Sequence, residues 1–179
     1  MEKRVFQNPK FKDRVTVLKS PKETNNEYLL LEIELDPKGG NGLHYHTSFS
    51  EEFIPIKGDL GVRLGKDKVI LKPGNTSTVK VGQLHHFFNP GNEAILFQVK
   101  IVPGHEGFLQ GVKIAYGLAE DGLTTKTGIP KKFDHLALLL KLSDTRAKGL
   151  LGLIFSLIMI KAGRAERKGV LKELTEKYC

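Results

Sequence analysis

Apolar and polar positions alternate in short bursts from about Arg14 to Pro103, and most bursts are closed by Gly, Pro, Asn or Asp. Leu31, Ile33 and Leu35 stand apolar between Glu32 and Glu34, the period of two that sends one face of a strand into a core. The same reading predicts strands over Val15–Leu18, Glu27–Leu35, Phe53–Ile56, Leu60–Leu64, Val69–Leu71, Thr76–Val81, His85–Phe88 and Ala94–Val102. Turn chemistry separates them at Lys57-Gly58-Asp59, Gly65-Lys66-Asp67, Pro73-Gly74-Asn75 and Asn89-Pro90-Gly91-Asn92. Many short strands with such turns predict an all-β sandwich or barrel. After Pro103-Gly104 the texture becomes helical, over His105–Leu118, Phe133–Leu142, Ala147–Ala162 and Lys168–Tyr178. The last has Leu171, Leu174 and Tyr178 on one face. The expected plan is an N-terminal arm or strand (1–24), a β-barrel (25–104) and a helical C-terminal extension (105–179) packed on the barrel, a dimer partner or both. There is no internal repeat and no low-complexity segment.

Composition adds limits. A chain of 179 residues, 40% hydrophobic and 27% charged, suits one soluble domain with an appendage. Its single cysteine, Cys179, leaves no partner for an intramolecular disulfide, so a reducing, cytoplasmic setting is expected. No apolar stretch follows the basic residues near Met1, so no secretory signal is expected. The net charge of +8 is uneven: from Lys131 onward 11 Lys/Arg face 5 Asp/Glu, while residues 1–130 carry 17 against 15.

Within that basic tail, Gly149–Ile160 is a run of twelve uncharged residues between Lys148 and Lys161. It is shorter than the roughly 20 residues that a membrane span requires. Gly149, Gly152 and Ser156 make only a narrow polar stripe, so such a helix needs cover on more than one side. A homodimer is the expected cover. The rival is peripheral membrane contact, in which Lys161, Arg164, Arg167 and Lys168 meet anionic head groups. Nucleic-acid binding is not expected, because the tail lacks a helix-turn-helix pattern.

The candidate chemistry lies in the strand region. His44 and His46 are two apart and share a strand face, and Glu51 can swing into it from the next turn or strand. His85, Phe87 and Asn89 share one face and His86 and Phe88 the other, so with His85 towards the lumen His86 reads as a packing residue or a support to the ligands and not as a ligand. Three imidazoles and a carboxylate suit a divalent Fe, Mn, Co, Ni, Cu or Zn ion and leave positions open on it. Phe53, Phe87 and Asn89 are candidates for the lining of an adjoining pocket, and Phe49 for its mouth or the core. His105 and His135 read as surface or capping residues.

These residues resemble the two motifs of the cupin superfamily. The first appears as His44-x-His46-x4-Glu51-x6-Gly58, with Gly39 or Gly40 near the leading glycine. The second appears as Gly82-x2-His85-x3-Asn89, with Lys80 where the family has proline. The resemblance covers residues 25–104 and implies a jelly-roll barrel of six to eight strands with His44, His46, Glu51 and His85 as metal ligands. The tail is similar to that of small single-cupin bacterial proteins. Because cupins host many activities, the resemblance leaves two expectations open. One is a metal-dependent small-molecule enzyme, dioxygenase-like or isomerase-like, with Glu51 as ligand or base. The other is a non-catalytic metal-dependent protein that binds or senses a small ligand. A lumen with room beside the ion favours the first; a lumen plugged by Phe87 favours the second.

Overall fold

The computed structural model describes residues 3–179. Its strands are β1 (Val5–Asn8), β2 (Asp13–Lys19), β3 (Leu29–Leu35), β4 (Tyr45–His46), β5 (Ser50–Lys57), β6 (Leu60–Leu64), β7 (Asp67–Leu71), β8 (Ser77–Val79), β9 (His85–Phe88), β10 (Ile95–Val102) and β11 (Thr145–Arg146). Its helices are α1 (Glu106–Glu120), α2 (Phe133–Leu142), α3 (Leu150–Leu153), α4 (Phe155–Arg167) and α5 (Val170–Tyr178). Six strands form one antiparallel sheet in the order β1-β2-β3-β10-β5-β8, and β7-β6-β9 form a second. This is a jelly-roll barrel with a helical extension.

Alternation builds the lumen. Leu29, Leu31, Ile33 and Leu35 of β3 are buried, as are Ile95, Phe97, Val99 and Ile101 of its partner β10, while the residues between them face out. Each buried side chain of this size contributes about 1.5–3 kcal/mol through removal from water. The N-terminal segment, expected as an arm or strand, supplies two strands of the sheet: β1 pairs with β2, and β2 with β3 in register from Asp13↔Leu35. Phe6, Val15 and Val17 complete the core from these strands. The second of these strands is the one expected over Val15–Leu18, whereas β1, with four residues, is too short to show a period.

Helix α1 joins two cores. Leu109 and Tyr116 face the barrel, whereas Ile114 and Leu118 pack with Ala137, Leu138 and Ile158 of the other helices. The expected helix over Ala147–Ala162 is broken into α3 and α4 at Ile154, and α4 packs chiefly against α2 and α5, not on the outer face of the barrel. The helix expected from Lys168 starts at Val170, because Gly169 takes a left-handed conformation at φ 81°. Ile158, Ala162 and Ala165 of α4 are buried, but Leu153, Leu157 and Ile160 are 83%, 66% and 52% exposed. Among the described residues no helix is long and apolar enough to cross a membrane.

Candidate metal centre

Backbone pairing brings the two motifs together. His44 and His85 face each other across an antiparallel bridge, His44 N donating to His85 O at 2.9 Å and His85 N to His44 O at 2.8 Å. Side chains of such a pair leave the same face of the sheet. His46 joins His44 by the two-residue period of β4, and Glu51 enters from β5, where it lies opposite Ile101 of β10 and Val79 of β8. One donor atom from each of His44, His46, Glu51 and His85 lies within 4.8 Å of all the others. His46, Glu51 and His85 are buried.

Each imidazole is oriented by a backbone carbonyl. Nδ1 of His44 lies 2.7 Å from Gly42 O, Nδ1 of His85 lies 2.9 Å from Gln83 O, and Nδ1 of His46 lies 3.3 Å from Asp144 O. A carbonyl only accepts, so it holds the ring proton on Nδ1 and turns the Nε2 lone pair inward. His44 Nε2 and His46 Nε2 then meet at 3.0 Å with lone pair towards lone pair. His85 Nε2 approaches Glu51 Oε2 at 2.6 Å, yet it is buried without a hydrogen bond of sound geometry. The facing lone pairs of His44 and His46, beside the Glu51 carboxylate, fit a cation at the centre of the cluster.

Charge follows the same logic. Burial, with the neighbouring imidazoles of His85 and His46, pushes His44 down to about 4, so it is neutral at pH 7. Burial also lowers His46. Burial opposes the charged form of Glu51, but His85, His46 and His44 outweigh it and hold the carboxyl below its usual range. Burial disfavours a cation on His85, and Glu51 more than reverses that. At neutral pH the cluster therefore offers a carboxylate and at least two neutral imidazoles, the donor set of a site for a divalent transition ion. Together the four residues could hold such an ion.

Behind the ligands, Phe49 stacks on His46 with centroids 4.3 Å apart, and Phe108 of α1 meets both rings edge-on. Phe49 is core and not a pocket mouth. A cavity of about 570 Å³ reaches the cluster at His44 and Glu51, and Phe53 and Phe87 line it. Asn89 does not line it. Its Nδ2 donates to Leu35 O and Glu93 O, and its Oδ1 accepts from Gly91 N, so it organises the turn after β9. His86 lies opposite Arg63 of β6, on the face away from the ligands. His105 caps α1, its Nδ1 accepting from Phe108 N at 2.9 Å. His135, expected at a surface or cap, is buried within α2.

Sequence reasoning missed Asp144. Strand β11 pairs with β4, Thr145 opposite His46, and the Asp144 carboxylate accepts from Thr47 N at 2.6 Å and Ser48 Oγ at 2.8 Å. Burial opposes this carboxylate, but the Ser48 and Thr47 hydrogen bonds hold it below its usual range. Asp144 lies 98 residues from His46 in a polar turn, and no local pattern marks it.

Comparison with known proteins agrees with this architecture. Residues 31–101 match the cupin domain family. The structure is similar to KdgF from Halomonas sp., with 14% identity over 56% of this chain and 89% of that one, at a TM-score of 0.50. It is equally similar to an RmlC-like cupin from Shewanella frigidimarina, with 17% identity over 57% and 86% of the two chains, at 0.50. A predicted oxalate decarboxylase from Thermotoga maritima is 24% identical over 51% and 80%, at 0.49. No curated protein sequence matches the chain. At these identities the likeness concerns the fold. The family match is thus to the barrel segment of the chain, which has the cupin fold.

Proposed function

We propose that the chain is a metal-dependent small-molecule enzyme, dioxygenase-like or isomerase-like, built on His44, His46, Glu51 and His85. The observation that carries this reading is the cavity that reaches the inward-facing donors at His44 and Glu51. Phe87 stands on the wall of that cavity and does not plug it, which favours turnover over a buried structural ion. A bound divalent ion supplies open coordination positions, for oxygen activation if redox-active and for Lewis-acid chemistry if not. The imidazoles keep their lone pairs inward through the carbonyls of Gly42, Asp144 and Gln83. Phe53 and the apolar lumen exclude water around a chelating enol, catechol or thiol. Glu51, ionised and buried, serves as ligand and takes a substrate proton where the reaction needs a base.

The test is metal content by elemental mass spectrometry, run beside a His44→Ala/His46→Ala double variant. A near-stoichiometric ion that the variant loses is the expected result, followed by oxygen uptake or isomerisation in a panel of chelating substrates. Trace metal in both proteins, persisting after reconstitution with each candidate ion, would overturn the reading. Ion binding with no turnover across the panel would favour a sensor instead.

A second copy of the chain is the partner we propose for the stripe of Leu153, Leu157 and Ile160. These residues are spaced by four and three along one side of α3 and α4 and are more than half exposed. The single Cys179 supports a cytoplasmic setting.

A further inference from the structure

The cavity wall carries information about what the site takes, and it comes from two parts of the chain. The barrel contributes Val15, Leu31, Ile33, Val99 and Ile101; the helical extension contributes Phe108, Val112, Leu136, Leu140, Phe155 and Ile158. Among the described residues no Lys or Arg lines the cavity, although the chain has 28 of them. Beyond Glu51 the one acidic side chain on the wall is Asp13, whose Oδ2 accepts from the Tyr116 hydroxyl at 2.7 Å. Burial pushes Asp13 up to about 7, so it carries only about half a charge at neutral pH, and its Oδ2 is already engaged by Tyr116. Several polar groups on the wall are already partnered. Ser143 Oγ bonds Leu139 O and Thr145 Oγ1, Thr127 Oγ1 pairs with Thr125 Oγ1, and Asn41 Oδ1 accepts from Phe87 N.

We infer that the cavity binds a mainly apolar molecule whose oxygen-bearing, chelating head meets His44 and Glu51 and whose uncharged body lies between the barrel lumen and the helical extension. The inference rests on the proposed metal centre and names its substrate class. A phosphorylated or polycarboxylate body would find no cation here, and a sugar would bury hydroxyls against apolar side chains at a cost. At the packing density of protein interiors, about 0.74, the 570 Å³ holds about 420 Å³ of ligand, the scale of a long acyl chain or fused rings. Leu43 and Ile129, 40% and 49% exposed, lie on the cavity wall at the surface and mark its mouth.

The probe is a series of straight-chain hydroxamates, from acetohydroxamate through hexanohydroxamate to dodecanohydroxamate, titrated by calorimetry into the full chain loaded with zinc. Affinity is expected to rise with chain length, by up to about fourfold per methylene, until the cavity is full. Val112→Phe and Leu140→Phe, which fill it, are expected to weaken dodecanohydroxamate by about tenfold or more and to leave acetohydroxamate unchanged. The wild-type series decides the matter even where a variant fails to fold. Acetohydroxamate binding with no gain along the series would leave the metal centre standing and overturn the apolar ligand. If no hydroxamate binds, the metal reading fails and a series of straight-chain alcohols decides the cavity. A gain with length sustains the apolar site, and none overturns it.

Discussion

Asp13 is an acid buried at the junction of barrel and helices. It is 4% exposed, its Oδ1 has no hydrogen-bond partner, and burial raises its carboxyl from 3.8 to about 7. The unfolded chain gives up that proton near pH 4, the folded one near pH 7, so in between the folded state binds more protons. Stability from this group is therefore full below about pH 4, falls as pH rises, and is lost above pH 7, a change of about 4 kcal/mol. Asp13→Asn is expected to flatten that part of the profile. Urea midpoints of both proteins from pH 4 to pH 8 check it, and parallel curves would refute it. Gly58 is constrained differently. Its φ is 78°, and a Cβ there would lie 2.6 Å from Ile95 Cγ2. Gly58→Ala should cost about 2 kcal/mol or more, read as a lower thermal midpoint. The convergence of His44, His46, Glu51 and His85 was legible in part: strand alternation puts His44 and His46 on one face, and the resemblance to the cupin motifs implies Glu51 and His85 beside them. Asn89 was not: it has the same face as His85, but its side chain is short enough to fold back on its own turn.

The elements that hold those ligands were only partly legible. Strands β6 and β9 and helix α2 are found at the residues that periodicity predicts, since each is bounded by turn residues or a change of period. Two short strands, β4 and β11, have two residues each, too few for any period, and their pairing joins segments about a hundred residues apart. Yet this small sheet fixes His46. Asp144 ties down Thr47 and Ser48 with its carboxylate while its carbonyl faces the His46 ring. Asp144→Ala is expected to leave the barrel folded and weaken metal affinity by about 10–100-fold, the usual scale for a group that supports a ligand. Competition with a chromophoric chelator measures this, and an unchanged affinity would show that β4 holds its shape without the turn. Thr47→Val, which leaves the backbone N–H in place, should show a smaller loss.

For the molecule as a whole, the apolar run at Gly149–Ile160 predicted a need for cover, and the fold meets half of it. Ile158 is 1% exposed within the helical core while Leu157 beside it is 66% exposed. Leu157→Glu is expected to convert dimer to monomer at micromolar concentration with the helical circular dichroism retained. Sedimentation velocity reads the change, and a monomeric wild type would remove the partner. What no pattern along the chain could reveal is that barrel and tail meet around a shared space, because a cavity wall is assembled from residues far apart in sequence. The match to the cupin family ends at residue 101, before α1 begins. The matched segment holds the four donors and part of the lumen, while Val15, much of the helical wall and the anchor at Asp144 lie outside it. Selectivity can then diverge by exchange of the tail, with the donor set untouched, and two proteins with the same four ligands need not accept the same molecule.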